Sequence, residues 1–374
     1  MYIKGVGMTK FGAQTNTSQE LVYEAAMEVL DDADIKIEDI DAIVSSIVDT
    51  ESNGERQRGF SSIISSIFKK KVPIITSSAV CGGGGSAIWT ANRLGYDNVL
   101  VVGVERLLSN NSANTTDEIM MAAERIYEQT EGLNFPAQNA LVAQQYMLKY
   151  GATTDDFALV AYKNHQNAFF NPKARFYNKK ISLEEIKNSP VVASPLRLFD
   201  CSISCNGAAA TVLTKNKTDI EIVGSSLIVD RLSTFESEDM TSWEATKLAA
   251  AEAYNQAGIS HEDIGIAEIH DAFTSVELIS YEDLGFCKKG DGKYLIRKGI
   301  VNIHGKLPVN TSGGLKAKGH PISATGVSQI YELVKQMREQ AGERQVDNIE
   351  YALAQNIGGA GSTVAVHILK RVSA

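Results

Sequence analysis

Cys81, followed at once by Gly82-Gly83-Gly84-Gly85, is the residue with the most chemical promise in this 374-residue chain. The thiol lies between a strand-like run, Pro73-Ile74-Ile75-Thr76, and a helix-like run, Ile88-Trp89-Thr90-Ala91-Asn92-Arg93-Leu94, which places it at a helix N-terminus. Backbone N–H groups and the helix dipole there favour thiolate, the nucleophilic form. Each glycine costs about 0.5–1 kcal/mol relative to alanine in regular structure, so the cluster points to a close backbone approach. His320 stands in a polar, glycine-rich loop, Gly313-Gly314-Leu315-Lys316-Ala317-Lys318-Gly319-His320-Pro321, ahead of a helix expected over about 324–338. An imidazole of near-neutral pKa can take a thiol proton. His270 ends a strand-like run, so it reaches the carboxyl edge of a sheet, where open α/β sheets bind ligands. Asn356-Ile357-Gly358-Gly359-Ala360-Gly361 follows the strand-like Tyr351-Ala352-Leu353-Ala354, and Gly358 and Gly359 could aim backbone N–H groups at a developing oxyanion beside the N–H of Cys81. A nucleophile, two imidazoles and a donor loop together describe a site that handles thioesters. Singly, each has a plainer reading: a buried cysteine, a solvated loop histidine, a capped strand end, a turn for a nucleotide phosphate. No G-x-G-x-x-G with a downstream acid accompanies the last of these.

The elements that must position these groups alternate between strand and helix. Leu21, Val22, Ala25, Ala26, Val29 and Leu30 recur at helical spacing, with Ser18 placed to cap the first turn. Val99-Leu100-Val101-Val102-Gly103-Val104 is continuously apolar, as expected of a strand covered on both faces. The fold class is therefore α/β in layers. Ala33-Asp34-Ile35-Lys36-Ile37-Glu38-Asp39-Ile40 aligns with Ala257-Gly258-Ile259-Ser260-His261-Glu262-Asp263-Ile264 at an offset of 224, and Ala25-Ala26 falls on Ala249-Ala250 at the same offset. The chain thus reads as two related halves, 1–220 and 221–374, each with a helix, an acidic turn and a strand. A polar stretch over about 110–195, marked by Asn110-Asn111-Ser112-Ala113-Asn114-Thr115-Thr116 and Asn171-Pro172-Lys173, reads as loops of an insertion in the first half.

The net charge of -9 opposes nucleic acid or an anionic membrane as the main partner. No apolar run reaches the roughly 18 residues of a transmembrane helix. The start, Met1-Tyr2-Ile3-Lys4-Gly5-Val6-Gly7, reads as an edge strand and not as a signal peptide, so a cytoplasmic protein is expected. Four cysteines, Cys81, Cys201, Cys205 and Cys287, are too few for a disulfide framework. Cys201 and Cys205 are spaced like half a zinc site, but no second pair completes it, and no metal is expected.

The order and spacing of Ala79-Val80-Cys81-Gly82-Gly83-Gly84-Gly85, His270-Asp271-Ala272-Phe273, Gly319-His320-Pro321 and Gln355-Asn356-Ile357-Gly358-Gly359 resemble the thiolase family, in the branch of sterol carrier protein and the archaeal acetoacetyl-CoA thiolases. Lys163-Asn164-His165-Gln166-Asn167-Ala168 and Asn206-Gly207-Ala208-Ala209-Ala210 extend the resemblance over essentially the whole chain. It implies two halves stacked as five α/β/α/β/α layers, with the insertion covering the site and holding the pantetheine arm of coenzyme A. It further implies that Cys81 is acetylated by acetyl-CoA, that His320 activates it, and that His270 binds a thioester oxygen. The reaction implied is the condensation of two acetyl-CoA to acetoacetyl-CoA, the first step of the mevalonate route, with no metal or redox cofactor; the alternatives are a thiolase-like acyltransferase with a different acyl substrate and an acyl-CoA-binding assembly subunit that does not condense. One departure stands out. Thiolases carry a second catalytic cysteine at the position of Asn356 or, in the sterol-carrier branch, of Ala272, and this chain has neither. Cys287 is the substitute base expected, with His270 or His320 acting twice as its rivals. Lys173, Arg175, Lys179, Lys180, Lys316 and Lys318 are the candidates for the coenzyme A phosphates. The implied assembly is a homodimer or tetramer with hydroxymethylglutaryl-CoA synthase and a zinc-ribbon/OB-fold bridging protein.

Overall fold

A computed structural model describes residues 1–48, 53–108 and 112–373 of the chain. The first half runs β1 (Tyr2–Met8), α1 (Ser18–Asp32), β2 (Ala42–Ser46), α2 (Phe60–Phe68), β3 (Ile74–Thr76), α3 (Gly83–Ala91) and β4 (Asn98–Arg106). An insertion follows, with α4 (Ser112–Met120), α5 (Phe135–Tyr150), α6 (Thr154–Phe169), α7 (Leu183–Lys187) and the hairpin β5 (Val191–Ala193) and β6 (Leu196–Arg197), before β7 (Asn206–Thr214) closes the half. The second half runs β8 (Ile220–Val229), α8 (Glu244–Ala257), β9 (Ile264–Glu268), α9 (Thr274–Asp283), α10 (Gly292–Arg297), α11 (Gly314–Ala317), α12 (Thr325–Met337), β10 (Tyr351–Gly358) and β11 (Thr363–Arg371).

Nine strands follow one another in the order β3-β2-β4-β7-β1-β8-β11-β10-β9. The only register between β1 and β8 is Tyr2 opposite Glu221, so two half-sheets meet at a single residue pair. Strand β1 is therefore interior and not an edge: it pairs with β7 along its length, and the edges fall on β3 and β9. The sequence start misleads here because Gly5 and Gly7 thin the strand's apolar pattern. They are needed because α1 lies directly on β1, where a Cβ at Gly7 would stand 2.4 Å from Ala25 O.

Three apolar clusters define the layers. One lies between α1, α2 and the first half-sheet; one surrounds α3 and α12 between the half-sheets; one lies between the second half-sheet and α5, α8 and α9. That is a stack of five layers with α3 and α12 at its centre. Helix α1 buries Leu21, Val22, Ala25, Ala26, Val29 and Leu30, as its spacing predicts. Its cap is Thr17 and not Ser18: Thr17 Oγ1 accepts the Glu20 N–H, and Glu20 Oε2 accepts the Thr17 N–H. Ser18 is buried one residue further on. The repeat holds in detail, since short 3-10 turns occupy Ile37–Asp39 and His261–Asp263 at the same offset of 224 and lead into β2 and β9. The loop expected over 110–116 is helix α4 from Ser112 on, while 110 and 111 lie outside the described residues.

Candidate active site

Strand β3 delivers the chain to a tight 3-10 turn, Val80–Gly82, that runs straight into α3. Val80 has φ +48°, a left-handed conformation that costs a β-branched residue roughly 1–3 kcal/mol and persists only where its surroundings enforce it. The second half enforces it: a Cβ on Gly358 would stand 2.4 Å from Ala79 O and 3.0 Å from Gly82 N, so the backbones of the two halves are in contact at this turn. The twisted turn presents Cys81 into a cleft, partly exposed. The backbone N–H groups of Gly359 and of Cys81 itself point at the sulfur. Burial nevertheless pushes the thiol up to about 12, and the Glu105 carboxylate adds to the rise, outweighing both donors. The expectation of a standing thiolate is thereby corrected. The turn before α3 supplies one hydrogen bond and the loop after β10 the other, but together they give not enough solvation for a resting charge.

His320 and His270 face each other edge to face, with ring centroids 5.4 Å apart. His320 is held by its N–H to Ile203 O at 2.9 Å and by Nδ1 to Thr325 Oγ1 at 2.7 Å, which leaves Nε2 for the cleft. Burial and the neighbouring Lys318 bring its pKa down to about 3, so the ring is neutral and basic in form across physiological pH. His270 is also kept neutral, by burial first and then by His320 and Lys316. It follows β9 by two residues, at the carboxyl edge of the sheet as predicted. The same cleft is walled by Leu107, Ile119, Met120, Phe135 and Trp243, and spans about 1030 Å³ with its open mouth. Cys81, His320, His270 and Gly359 thus converge in one place from four segments of the chain; Gly358 lies beneath, packed on Ala79. A nucleophile, a neutral imidazole and donors at one carbonyl-sized spot suit acyl transfer.

Residues 1–217 match the family model of the thiolase N-terminal domain, and residues 227–371 match the thiolase C-terminal domain-like model. The chain belongs to the thiolase family. Among curated relatives, the acetyl-CoA acetyltransferase of Methanothermobacter thermautotrophicus is 37% identical, with 98% of each chain covered. Sterol carrier protein 2 of Bos taurus is 32% identical over 97% of this chain and 71% of its own length. Among solved structures, the Ltp2-ChsH2(DUF35) aldolase superposes with a TM-score of 0.83 at 26% identity, covering 99% of this chain and 97% of the other.

Several expected site residues of this thiolase lie elsewhere. Cys287 does not line the cleft. Helix α9 carries the chain about 15 Å onward from Phe273 before Cys287 is reached. There burial, then Glu282 and Asp291, push its thiol up to about 12, the opposite of what a base needs. Lys316 and Lys318 are each only 1% exposed. Lys316 Nζ donates to Asp200 O at 2.6 Å, and Lys318 Nζ sits 3.7 Å from Glu268, so both are internal struts of the His320 loop and not phosphate ligands. Lys173 Nζ is spent on Glu28 at 2.7 Å, and the Arg175 backbone N–H donates to Lys318 O. Neither they nor the exposed Lys179 and Lys180 line the cleft.

Residues not expected from sequence take their places. Cys201 lines the cleft beside Ala272: it bridges to Phe273, and the Ser202 N–H donates to Ala272 O at 2.8 Å. A thiol therefore stands next to the position where the sterol-carrier branch carries its second cysteine. Trp243 borders both the cleft and an adjoining groove that holds the exposed Arg231 and Lys247. A lone tryptophan in the polar run 239–244 was the available signal for that groove. Cys201 had none beyond its being a cysteine just before Asn206-Gly207.

Proposed function

We propose that this thiolase is an acetyl-CoA C-acetyltransferase that joins two acetyl-CoA to acetoacetyl-CoA through an acetyl-Cys81 intermediate. The observation that carries the reading is the meeting of Cys81, His320, His270 and the Gly359 N–H in one cleft. Because the resting thiol is protonated, His320 Nε2 takes the proton as sulfur attacks the thioester carbonyl, and the Gly359 and Cys81 N–H groups receive the oxyanion. Coenzyme A thiolate leaves and takes that proton. A second acetyl-CoA then gives up a methyl proton to His320 Nε2, with its thioester oxygen held by His270. The resulting carbanion bonds to the acetyl carbonyl carbon and displaces Cys81 sulfur, which takes that proton back from His320. Neutral His320 suits both proton transfers. Arg231 and Lys247 border the groove beyond Trp243, but Lys247 is paired with Glu244, and Asp230, Glu238 and Asp239 line the same groove, so it offers the coenzyme A phosphates no better seat than the lysine set expected from sequence.

Condensation is uphill, so flux requires rapid removal of acetoacetyl-CoA by a neighbouring enzyme. The mevalonate route, with hydroxymethylglutaryl-CoA synthase, a bridging protein and a homodimer or tetramer in the cytoplasm, remains our proposal. Within it, acetyl transfer is supported by the methanogen relative's name, and a bridging protein by the two-component title of the aldolase structure. No described helix is long and apolar enough to cross a membrane. A second reading is favoured by the cleft itself: Leu107, Ile119, Met120 and Phe135 wall more space than an acetyl group fills, which suits a longer or bulkier acyl chain. Thiolysis of acetoacetyl-CoA and of longer 3-ketoacyl-CoA by free coenzyme A, with peptide mapping of the acyl adduct, tests both. Acetyl on Cys81 and fastest cleavage of acetoacetyl-CoA support the first reading. Preference for the longer chains supports the second, and an adduct elsewhere overturns both.

A further inference from the structure

Asn356 stands where most thiolases carry a cysteine, and its amide makes three hydrogen bonds that leave it a single orientation. Oδ1 accepts the Gly85 N–H at 2.9 Å. Nδ2 donates to Cys81 O at 2.9 Å and lies 3.3 Å from Nδ1 of His270. The first two partners are backbone groups of fixed polarity, so the amide cannot be turned over without setting carbonyl against carbonyl and N–H against N–H. The side chain is 1% exposed, so no solvent competes for these bonds. It is also boxed in: a Cβ at Gly326 would stand 2.5 Å from Oδ1, and one at Gly85 would stand 3.0 Å from the Asn356 Cβ. With one Nδ2 hydrogen on Cys81 O, the other faces His270.

We propose that Asn356 is a positioning residue that fixes His270 as the tautomer protonated on Nε2. A nitrogen that receives an N–H must present its lone pair, so Nδ1 of His270 is bare and the ring proton is on Nε2. His270 is then a permanent donor to the cleft and cannot serve as a base, because its only lone pair is occupied. A proton added at Nδ1 would oppose the Asn356 N–H, which keeps the ring neutral. Position 356 therefore carries no acid or base. Its space is given to a group that makes the neighbouring imidazole a better oxyanion ligand. Of the two imidazoles, His320 alone is left to move protons.

The consequence for catalysis rests on the acyl-transfer reading, but the tautomer does not. The full-length protein, labelled with ¹⁵N-histidine, is observed by long-range ¹H–¹⁵N correlation over about pH 5 to 9. The His270 signals are assigned by their absence in His270→Gln. In the unsubstituted protein His270 is expected as the neutral form protonated on Nε2 at every pH. Asn356→Asp keeps the shape and the bond to Gly85, but it presents an acceptor to Nδ1. The proton is expected to move to Nδ1, with a new ionisation of His270 in the accessible range. Asn356→Ala, which adds no charge, is expected to mix the tautomers and to lower kcat for acetoacetyl-CoA thiolysis by about tenfold, with KM nearly unchanged. A proton on Nδ1 in the unsubstituted protein, or an unchanged His270 spectrum in both folded variants, overturns the proposal. If the tautomer shifts as stated while neither variant changes kcat, the assignment of Asn356 stands and the role of His270 in acyl transfer falls.

Discussion

Helices α3 and α12 hold equivalent places at the centre of the two halves, yet they are built differently and present opposite chemistry at their leading ends. The entry to α3 carries Cys81, the electrophile-seeking sulfur, and the helix opens with Gly83-Gly84-Gly85-Ser86-Ala87, almost pure backbone. The entry to α12 carries His320, and the helix is rich in buried polar side chains, each tied down: Gln329 to Gln355 O at 2.8 Å, Glu332 to Arg344 at 2.9 Å, Gln336 to Arg344 O at 2.8 Å. The two pack backbone to backbone, since a Cβ on Gly84 would stand 2.8 Å from Gly326 N and one on Gly326 would stand 2.3 Å from Gly85 N. A duplicated layer has thus been divided, one copy made thin enough to bring the nucleophile close, the other anchored firmly enough to hold its partner imidazole in place.

The division predicts unequal losses. Cys81→Ala should lower thiolysis by roughly 10⁴-fold or more and abolish the acyl adduct, because among the described residues no other offers a nucleophile with two aimed N–H donors. Normal turnover in that variant would break the contrast at its root. His320→Asn should cost about 10²–10⁴-fold and slow acylation of Cys81 along with condensation, since one neutral imidazole serves both. Loss of condensation alone would instead give His320 a role in only one step. Gly326→Ala should destabilise by about 1–3 kcal/mol in denaturant titration and slow acylation, as the helices are forced apart. Gly12→Ala is the control, with nothing within 4 Å of the added carbon, and should be neutral.

Smaller effects sharpen the electrostatic side. With the Cys81 thiol near 12, its alkylation by iodoacetamide should rise about tenfold per pH unit from roughly pH 6 to 10 without a plateau. The sign follows from burial and Glu105 both disfavouring the charged form. Removing the charge in Glu105→Gln should therefore raise the alkylation rate severalfold at any one pH, whereas a plateau below about pH 8 would reinstate the thiolate. Cys287→Ala should leave acylation and condensation within about twofold of normal, as expected for a residue outside the cleft.

What the amino-acid order disclosed was largely what depends on local rules. The offset repeat, the apolar run of β4 and the glycines at Cys81 all report on packing within a few residues, and each element is present. The thiolase motifs likewise brought Cys81, His270 and His320 to one cleft. The errors arose where a local pattern has two physical outcomes. A polar, lysine-bearing loop is solvated or internally satisfied according to its partners, and Lys316 and Lys318 find theirs in Asp200 and Glu268, far away in sequence, and in Ser328 ten residues on from Lys318. A helix N-terminus favours thiolate only while the sulfur stays wet, and burial of Cys81 reverses the balance. Cys201 reaches the cleft through its bridge to Phe273, a contact between the halves that no periodicity encodes.

The seam between the half-sheets carries one last consequence, for dissection of the molecule. Only the five residues from Lys215 to Asp219 join β7 to β8. They could be cut without touching a catalytic group. The bonds from Asn356 to Gly85 and Cys81, and from His367 to Gly85 O at 3.0 Å, would then have to be re-formed between separate chains before the sulfur met its donors. Fragments 1–217 and 218–374 should each be silent, and their reunion should be read out as thioester cleavage, a complementation reporter whose signal requires correct docking and not mere proximity.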